Sequence, residues 1–319
     1  MKIIAFVLAL TGLTLSAQTI STTPAGAGVV TNARGKALAS TKRNASATDF
    51  SALTLQTLNQ DMPKNGGYGA GGEAGANLRK AVMWNEEAQR LDITPSIAKP
   101  IFCSGACYLL LVKTLQNWEK SGAGKLSPEA WKQLAVRAQA DGVGVWGRAN
   151  ANGPGFSKLV HDLKAGVNFT DINQARPGDV LKFFWSEEIG AKERGHIVIY
   201  LGHSVKDGVE YISYWSANKP DGYSIRHMEA SKMHNFIFTR ITNPQNFNNV
   251  VTLPKEDKWL KDMLSKSFTY EEVCATVGAK LASKPGAKPA AKPAPKPAAK
   301  PAAKPAPKPA AKPAAKKTK

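Results

Sequence analysis

Residues 102–112, Phe-Cys-Ser-Gly-Ala-Cys-Tyr-Leu-Leu-Leu-Val, constrain the fold more than any other stretch of the chain. Three small or polar residues run straight into an apolar segment of helical length, just after Pro100. A proline is tolerated before a helix and not within one, so the segment predicts a buried helix that starts at Cys103. A cysteine in that first turn sits among backbone N–H groups without intrahelical partners, at the positive end of the helix dipole. Such surroundings favour thiolate over thiol and make a nucleophile. The alternative for Cys103 is a structural core cysteine.

The two ends of the 319-residue chain narrow what can fold. Met1-Lys2, an apolar run from Ile3 to Leu15 and Ser16-Ala17-Gln18 have the layout of a secretory signal peptide cleaved after Ala17. The run is too short for an ordinary membrane span, and export to the cell envelope or the medium is expected. The formal net charge is +19, but Lys2 and the eleven lysines of residues 284–319 account for twelve of those charges. That tail repeats Lys-Pro-Ala-Ala or Lys-Pro-Ala-Pro, a pattern that favours extended polyproline II and forbids a core. It would serve as a tether to anionic wall polymers, a membrane surface or nucleic acid, or as a plain spacer.

Between the ends the chain reads as α+β. Residues 18–75 are rich in Ala, Thr, Ser, Gly and Asn, with a flexible Gly66–Gly72 stretch; a disordered leader is expected, with at most a short helix near Asp49–Asn59. Leu78, Val82, Met83, Ala88 and Leu91 space as a helix face that ends at Thr94-Pro95. Ser127-Pro128-Glu129 is a helix start, and Phe156–Lys164 predicts a short helix. The Gly- and Asn-rich run 141–155 predicts a long loop, whose Trp146, Arg148, Asn150 and Asn152 are candidates for contacting a polar substrate. From Pro177 onward, Gly, Asp and Pro turns separate five strands: Val180–Trp185, His196–Leu201, Val209–Ser216, Tyr223–His227 and Asn235–Ile241. The expected architecture is N-terminal helices packed on an antiparallel sheet of about five strands over residues 76–250. Helices in 251–282 would cover one end, and 283–319 form the tail.

Three cysteines, Cys103, Cys107 and Cys274, leave at least one thiol without an intramolecular partner. Cys107 lies four residues after Cys103 and so shares its helix face. No Cys or His spacing calls for a metal, and no cofactor is expected.

Three segments then stand in a recognisable order: Cys103-Ser104-Gly105, Ala175-Arg176-Pro177-Gly178-Asp179-Val180-Leu181-Lys182-Phe183-Phe184 and Gly195-His196-Ile197-Val198-Ile199-Tyr200-Leu201-Gly202. From about Ala76 to Asn243 the chain resembles the NlpC-type cysteine peptidases of bacterial cell walls, which have a papain-like fold. It departs from their pattern at Phe102, where an aspartate is usual, and in the 93 residues from Cys103 to His196. The resemblance implies Cys103 as nucleophile, His196 as base, and a peptide or amide bond in peptidoglycan as substrate. The orienting residue is open among Asn218, Ser216 and Ser213, with Asn218 first because asparagine holds the imidazole in papain-like enzymes. Other classes remain: a non-catalytic cell-wall-binding protein on a peptidase scaffold, and a papain-like acyltransferase.

Overall fold

The computed structural model describes residues 49–191 and 195–282. The signal peptide, residues 18–48 of the leader and the tail from 283 lie outside the described residues. In chain order the helices are α1 (Phe50–Asp61), α2 (Gly72–Ala81), α3 (Cys103–Lys120), α4 (Pro128–Leu134), α5 (Gly144–Asn150), α6 (Gly155–Asp162), α7 (Lys258–Asp262) and α8 (Tyr270–Thr276). The strands are β1 (Asn65–Gly66), β2 (Val82–Asn85), β3 (Arg90–Ile93), β4 (Gly166–Phe169), β5 (Val180–Phe184), β6 (Ile189–Gly190), β7 (His196–Lys206), β8 (Val209–Asn218), β9 (Gly222–Glu229), β10 (Asn235–Ile241), β11 (Ser267–Phe268) and β12 (Ala279–Lys280).

The α3 helix begins at Cys103, as its sequence demands, with extended Phe102 at the N-cap. Every side chain from Ala106 to Val112 is buried. A helical segment that is apolar all round must be enclosed, and α3 lies between the sheet, through β7 and β8, and the helices α1 and α5. Its close approach to the preceding segment depends on Gly105, where a Cβ would fall 2.8 Å from Ile101 Cδ1 and 3.1 Å from Leu78 Cδ2.

The sheet is larger than expected. Its order is β1-β9-β8-β7-β5-β10-β4-β12, eight strands among the described residues instead of about five, antiparallel except for the β12–β4 pair. The five strands expected from sequence form its centre. The additions, β1, β4 and β12, are only two to four residues long, too short to carry a strand signature of their own. One face packs on α3 through Val180, Ile197, Ile199, Trp215 and Ala217. The other carries a smaller core of Leu181, Phe183, Val198, Tyr200 and Phe238. A third cluster, with Phe184, Ile189, Ile237, Met263 and Cys274, seats α7 and α8 over one end of the sheet. Because β12 enters the main sheet, residues 251–282 complete that sheet instead of only covering it.

Several expectations need correction. Order begins well before Ala76: α1 runs the full Phe50–Asp61, capped by Asp49 and packed on α3. The Gly66–Gly72 stretch is pinned, not flexible. Gly67 N–H donates to Asp221 O (3.0 Å), Tyr68 N–H to Pro220 O (3.1 Å) and Gly69 N–H to Ile101 O (3.0 Å). The helix expected through Leu91 stops at Ala81, and Val82–Ile93 form a hairpin. Its turn is closed by Asn85, whose Oδ1 accepts from Ala88 N–H (2.9 Å) and whose Nδ2 donates to Asp92 (2.9 Å). The glycine-rich run 141–155 is not one long loop, because Gly144–Asn150 is helical and α6 starts at Gly155. No described helix is long and apolar enough to cross a membrane.

The Pro-Gly-Asp turn before β5 is a structural junction. Asp179, buried, accepts from Arg176 N–H (2.8 Å), Ser51 Oγ (3.1 Å) and Arg240 Nε (2.9 Å) and Nη2 (2.6 Å), which joins α1 to β10. Gly178 permits the approach: it has φ +94°, and a Cβ there would lie 2.2 Å from Ser51 O.

If α3 is the central packing element, Leu109→Ala should lower the unfolding free energy by about 2–5 kcal/mol, as read by urea denaturation. A loss below about 1 kcal/mol would show that the helix is peripheral.

Candidate active site

The first turn of α3 meets the first residues of β7. Cys103 and Cys107, one turn apart, both face Ile197: the Ile197 N–H donates to the Cys103 sulfur, and the Cys107 thiol donates to Ile197 O (3.5 Å). Ser216 Oγ donates to that same carbonyl (2.8 Å), so one peptide group holds helix and strands in register. Directly before it, Gly195 has φ +58°, and a Cβ there would strike Phe183 O at 2.2 Å; only glycine lets the strand start so close to β5. This is the local reason for the Gly195-His196 pair.

His196 hydrogen-bonds Cys103 and is flanked by the rings of Phe183 (5.5 Å) and Tyr214 (6.0 Å). Its Nε2 lies 3.2 Å from Asn218 Oδ1. The Asn218 amide is fixed on its other side, where Nδ2 donates to Ser216 O (3.1 Å), Ser224 O (3.0 Å) and Ser224 Oγ (3.3 Å). With those acceptors engaged, Oδ1 faces the imidazole as an acceptor, so Nε2 carries a hydrogen and Nδ1 is left for the sulfur. Of the three candidates for this position, Asn218 alone reaches His196. Ser216 is held by Ile197 O, and Ser213 bonds His227 Nδ1 (2.7 Å) on the surface.

The electrostatics separate the three cysteines. Burial pushes the Cys103 thiol up, but the hydrogen bond and charge of His196, the charge of Lys182 and the Ile197 N–H together outweigh it. The thiol settles at about 7, below its reference value of 9.0. Burial and the neighbouring Cys103 charge drive the Cys107 thiol well upward. Burial raises Cys274 to about 11, against a hydrogen bond with Tyr270. Cys107 and Cys274 are unpaired, buried thiols that fill core space.

Two clefts flank the cysteine–histidine pair. One, of about 350 Å³, opens over Cys103 and is lined by Phe102, Ser104, Asp141, Asn150, Asn152 and Lys182, among others. The second, of about 680 Å³, lies beyond His196 and Asn218, with Trp185, Tyr214 and Arg226 in its wall. Tyr68 and Gly195 border both.

The substrate candidates of the 141–155 run divide. Asn150 does line the first cleft: its Oδ1 accepts from Ser104 Oγ (2.7 Å) and its Nδ2 donates to Asp141 (3.2 Å). Asn152 borders it too, although its Nδ2 is taken by the carbonyls of Gly190 and Met263. Trp146 and Arg148 do not reach a cleft. Trp146 is buried against Tyr108 (5.1 Å) and Phe102 (6.2 Å), beneath the start of α3. Arg148, 2% exposed, pairs with Asp257 (3.0 Å) and donates to Pro254 O (2.7 Å), which ties α5 to the chain before α7.

Sequence reasoning missed two residues of the site. Tyr68 was hidden in a stretch read as flexible; a lone aromatic among glycines was its signal. Burial and the Cys103 charge hold its hydroxyl above the ordinary range, so it stays a protonated donor. Lys182 was hidden in an otherwise apolar strand, Val-Leu-Lys-Phe-Phe, where a buried lysine is itself the anomaly.

Comparison with family models, with curated proteins and with solved structures finds no match to this chain.

As pH rises, Cys103 alkylation by iodoacetamide should reach half its maximum near pH 7, while Cys107 and Cys274 stay slow there. Without its partner, the burial that remains raises the thiol, so His196→Ala should slow Cys103 labelling at pH 7 by at least about tenfold. Equal rates at all three cysteines, followed by peptide mapping, would contradict the ion-pair geometry.

Proposed function

We propose that the protein is an exported cysteine hydrolase that cleaves a peptide or amide bond in peptidoglycan, with a papain-like arrangement of its catalytic groups. The single observation that carries this reading is the Cys103–His196–Asn218 relay lying between two open clefts. A thiol near neutrality, joined to an oriented imidazole, has the attributes of a nucleophile and its base. A purely wall-binding module has no need of them. The assignment of peptidoglycan rests on the motif resemblance and the signal-like N-terminus.

In the proposed reaction the Cys103 thiolate attacks the amide carbonyl. The Cys103 backbone N–H, which has no intrahelical acceptor in the first turn, faces the developing oxyanion. The His196 imidazolium gives its Nδ1 proton to the departing amine, and the acyl group remains on sulfur as a thioester. His196 then takes a proton from water, which attacks the thioester and releases the carboxylate. Asn218 holds the ring plane through Nε2 during both transfers. The two clefts would hold the acyl and amine portions on either side of the sulfur. The Lys-Pro-Ala tail would retain the enzyme near anionic wall polymers, with binding that weakens as salt rises.

Digestion of purified peptidoglycan should release fragments with wild type and none with Cys103→Ala, as identified by mass. Asn218→Ala should lower kcat by roughly ten- to a hundredfold with a smaller change in KM, because it disturbs ring orientation and not substrate contact. Equal digestion by wild type and Cys103→Ala would remove the hydrolase.

A further inference from the structure

The cleft beyond His196 and Asn218 is the larger of the two, and its wall is aromatic: Tyr68, Trp185, Tyr211 and Tyr214 all border it. Trp185 is 49% exposed, whereas a side chain of that size and apolarity is usually covered. It is held in place all the same. Its ring stands at 85° to that of buried Phe183, with centres 4.9 Å apart, which fixes the indole and leaves about half of the residue open. Phe183 also packs edge-on against Tyr214 (5.9 Å) and His196 (5.5 Å). The aromatic wall and the His196 imidazole therefore share one support.

The charged residues of the same wall are already matched. Arg226 pairs with Asp221 (2.6 Å), Lys232 pairs with Glu229 (3.1 Å), and Lys219 Nζ lies 5.6 Å from the centre of the Tyr68 ring. His227 Nδ1 shares a hydrogen bond with Ser213 Oγ (2.7 Å). A polyanion such as nucleic acid would have to compete for these cations, because its affinity comes from neutralising phosphates. A purely apolar ligand would desolvate the paired ions and return nothing to them. What fits is a neutral molecule with flat C–H faces and many hydroxyl groups, which is the chemistry of a sugar ring. The C–H bonds on a pyranose face carry a slight positive potential and meet the negative face of an aromatic ring. The paired side chains keep spare capacity for the hydroxyls, since a guanidinium has more N–H groups, and a carboxylate more lone pairs, than one partner uses. The volume, about 680 Å³, lies in the range of ordinary small-ligand clefts.

We infer that the cleft beyond His196 is a saccharide subsite, in which Trp185 stacks on a sugar ring with the tyrosines beside it and the paired ions of the rim bond the hydroxyls. The cleft runs up to His196 and Asn218, so a sugar held there belongs to the same molecule whose amide reaches Cys103. The enzyme then prefers peptides still attached to glycan over free peptides. That preference rests on the hydrolase reading, but saccharide binding does not and can be measured without turnover.

The test titrates the full chain with the linear tetramer of N-acetylglucosamine, an uncharged saccharide, by calorimetry, with wild type, Trp185→Ala and Trp185→Tyr. Trp185→Ala should weaken binding by at least about tenfold, through loss of the stacking face. Trp185→Tyr, which keeps an aromatic face, should stay within about threefold of wild type. In wild type, saturating tetramer should also protect Trp185 from oxidation by N-bromosuccinimide, as read by peptide mapping, a result that does not depend on how the variants fold. No binding by wild type at millimolar tetramer, equal binding by Trp185→Ala, or undiminished oxidation of Trp185 would each overturn the subsite. Trp185-dependent binding of a thymidine oligonucleotide that the tetramer fails to displace would assign the cleft to nucleic acid and overturn it too. Wild-type protein that binds the tetramer through Trp185 but releases nothing from peptidoglycan would keep the saccharide subsite and remove the hydrolase. With both in place, the ratio of kcat/KM for glycan-linked over glycan-free peptide should fall by at least about fivefold in Trp185→Ala. An unchanged ratio would exclude glycan selection.

Discussion

The contact between the first turn of α3 and the start of β7, centred on the backbone of Ile197, is the constraint on which the site depends. Its N–H meets Cys103, and its carbonyl takes Cys107 and Ser216. Because the helix is buried on all sides from Ala106 to Val112, it cannot slide on the sheet without uncovering leucines on one flank. The packing that buries α3 therefore also sets the position of the sulfur relative to the imidazole. Gly105 and Gly195 allow this closeness from opposite sides, the first toward Ile101 and Leu78 and the second toward Phe183. Asn218 extends the arrangement to β9, where Ser224 anchors it.

A second set of buried polar groups holds the frame without entering the cleft. Asp179 links α1 to Arg240, and Arg148 links α5 to Asp257. Each is a charge enclosed with its partner, so loss of one member would leave the other uncompensated. The Pro-Gly-Asp motif, which helped suggest the family resemblance, acts here as such a joint. Lys182 differs from these charges in facing the nucleophile.

The central architecture was legible in the sequence because it is encoded locally. The apolar run after Cys103 fixes α3, and the Gly, Asp and Pro turns separate the five central strands. Cys103 was legible from its place at a helix start, His196 from the motif of its strand, and Asn218 only as the first of three polar candidates on or after the third strand. What escaped depends on tertiary contacts. Strands β1, β4 and β12 are short and exist because a longer neighbour supplies their hydrogen bonds. Helix α5 contains Gly144 and Gly147, which argue against a helix locally. Yet a Cβ at Gly147 would strike Ala140 O at 2.1 Å, so the glycine serves close packing. Trp146 and Arg148 looked like substrate contacts because aromatic and cationic residues in a supposed loop are usually exposed, whereas here a helix turns both inward. Tyr68 lay in a segment whose composition suggested disorder, and its order comes from hydrogen bonds to Pro220 and Ile101, far away in sequence.

The central claim is covalent chemistry at Cys103, and trapping the acyl-enzyme tests it most directly. The protein is mixed with peptidoglycan fragments, quenched in acid within the first turnovers, and mapped by mass spectrometry. The account predicts a thioester adduct on the peptide that contains Cys103, with the mass of the acyl part of the cleaved fragment, and none in His196→Ala. Fragment release without an adduct at Cys103, or an adduct confined to another residue, would contradict it.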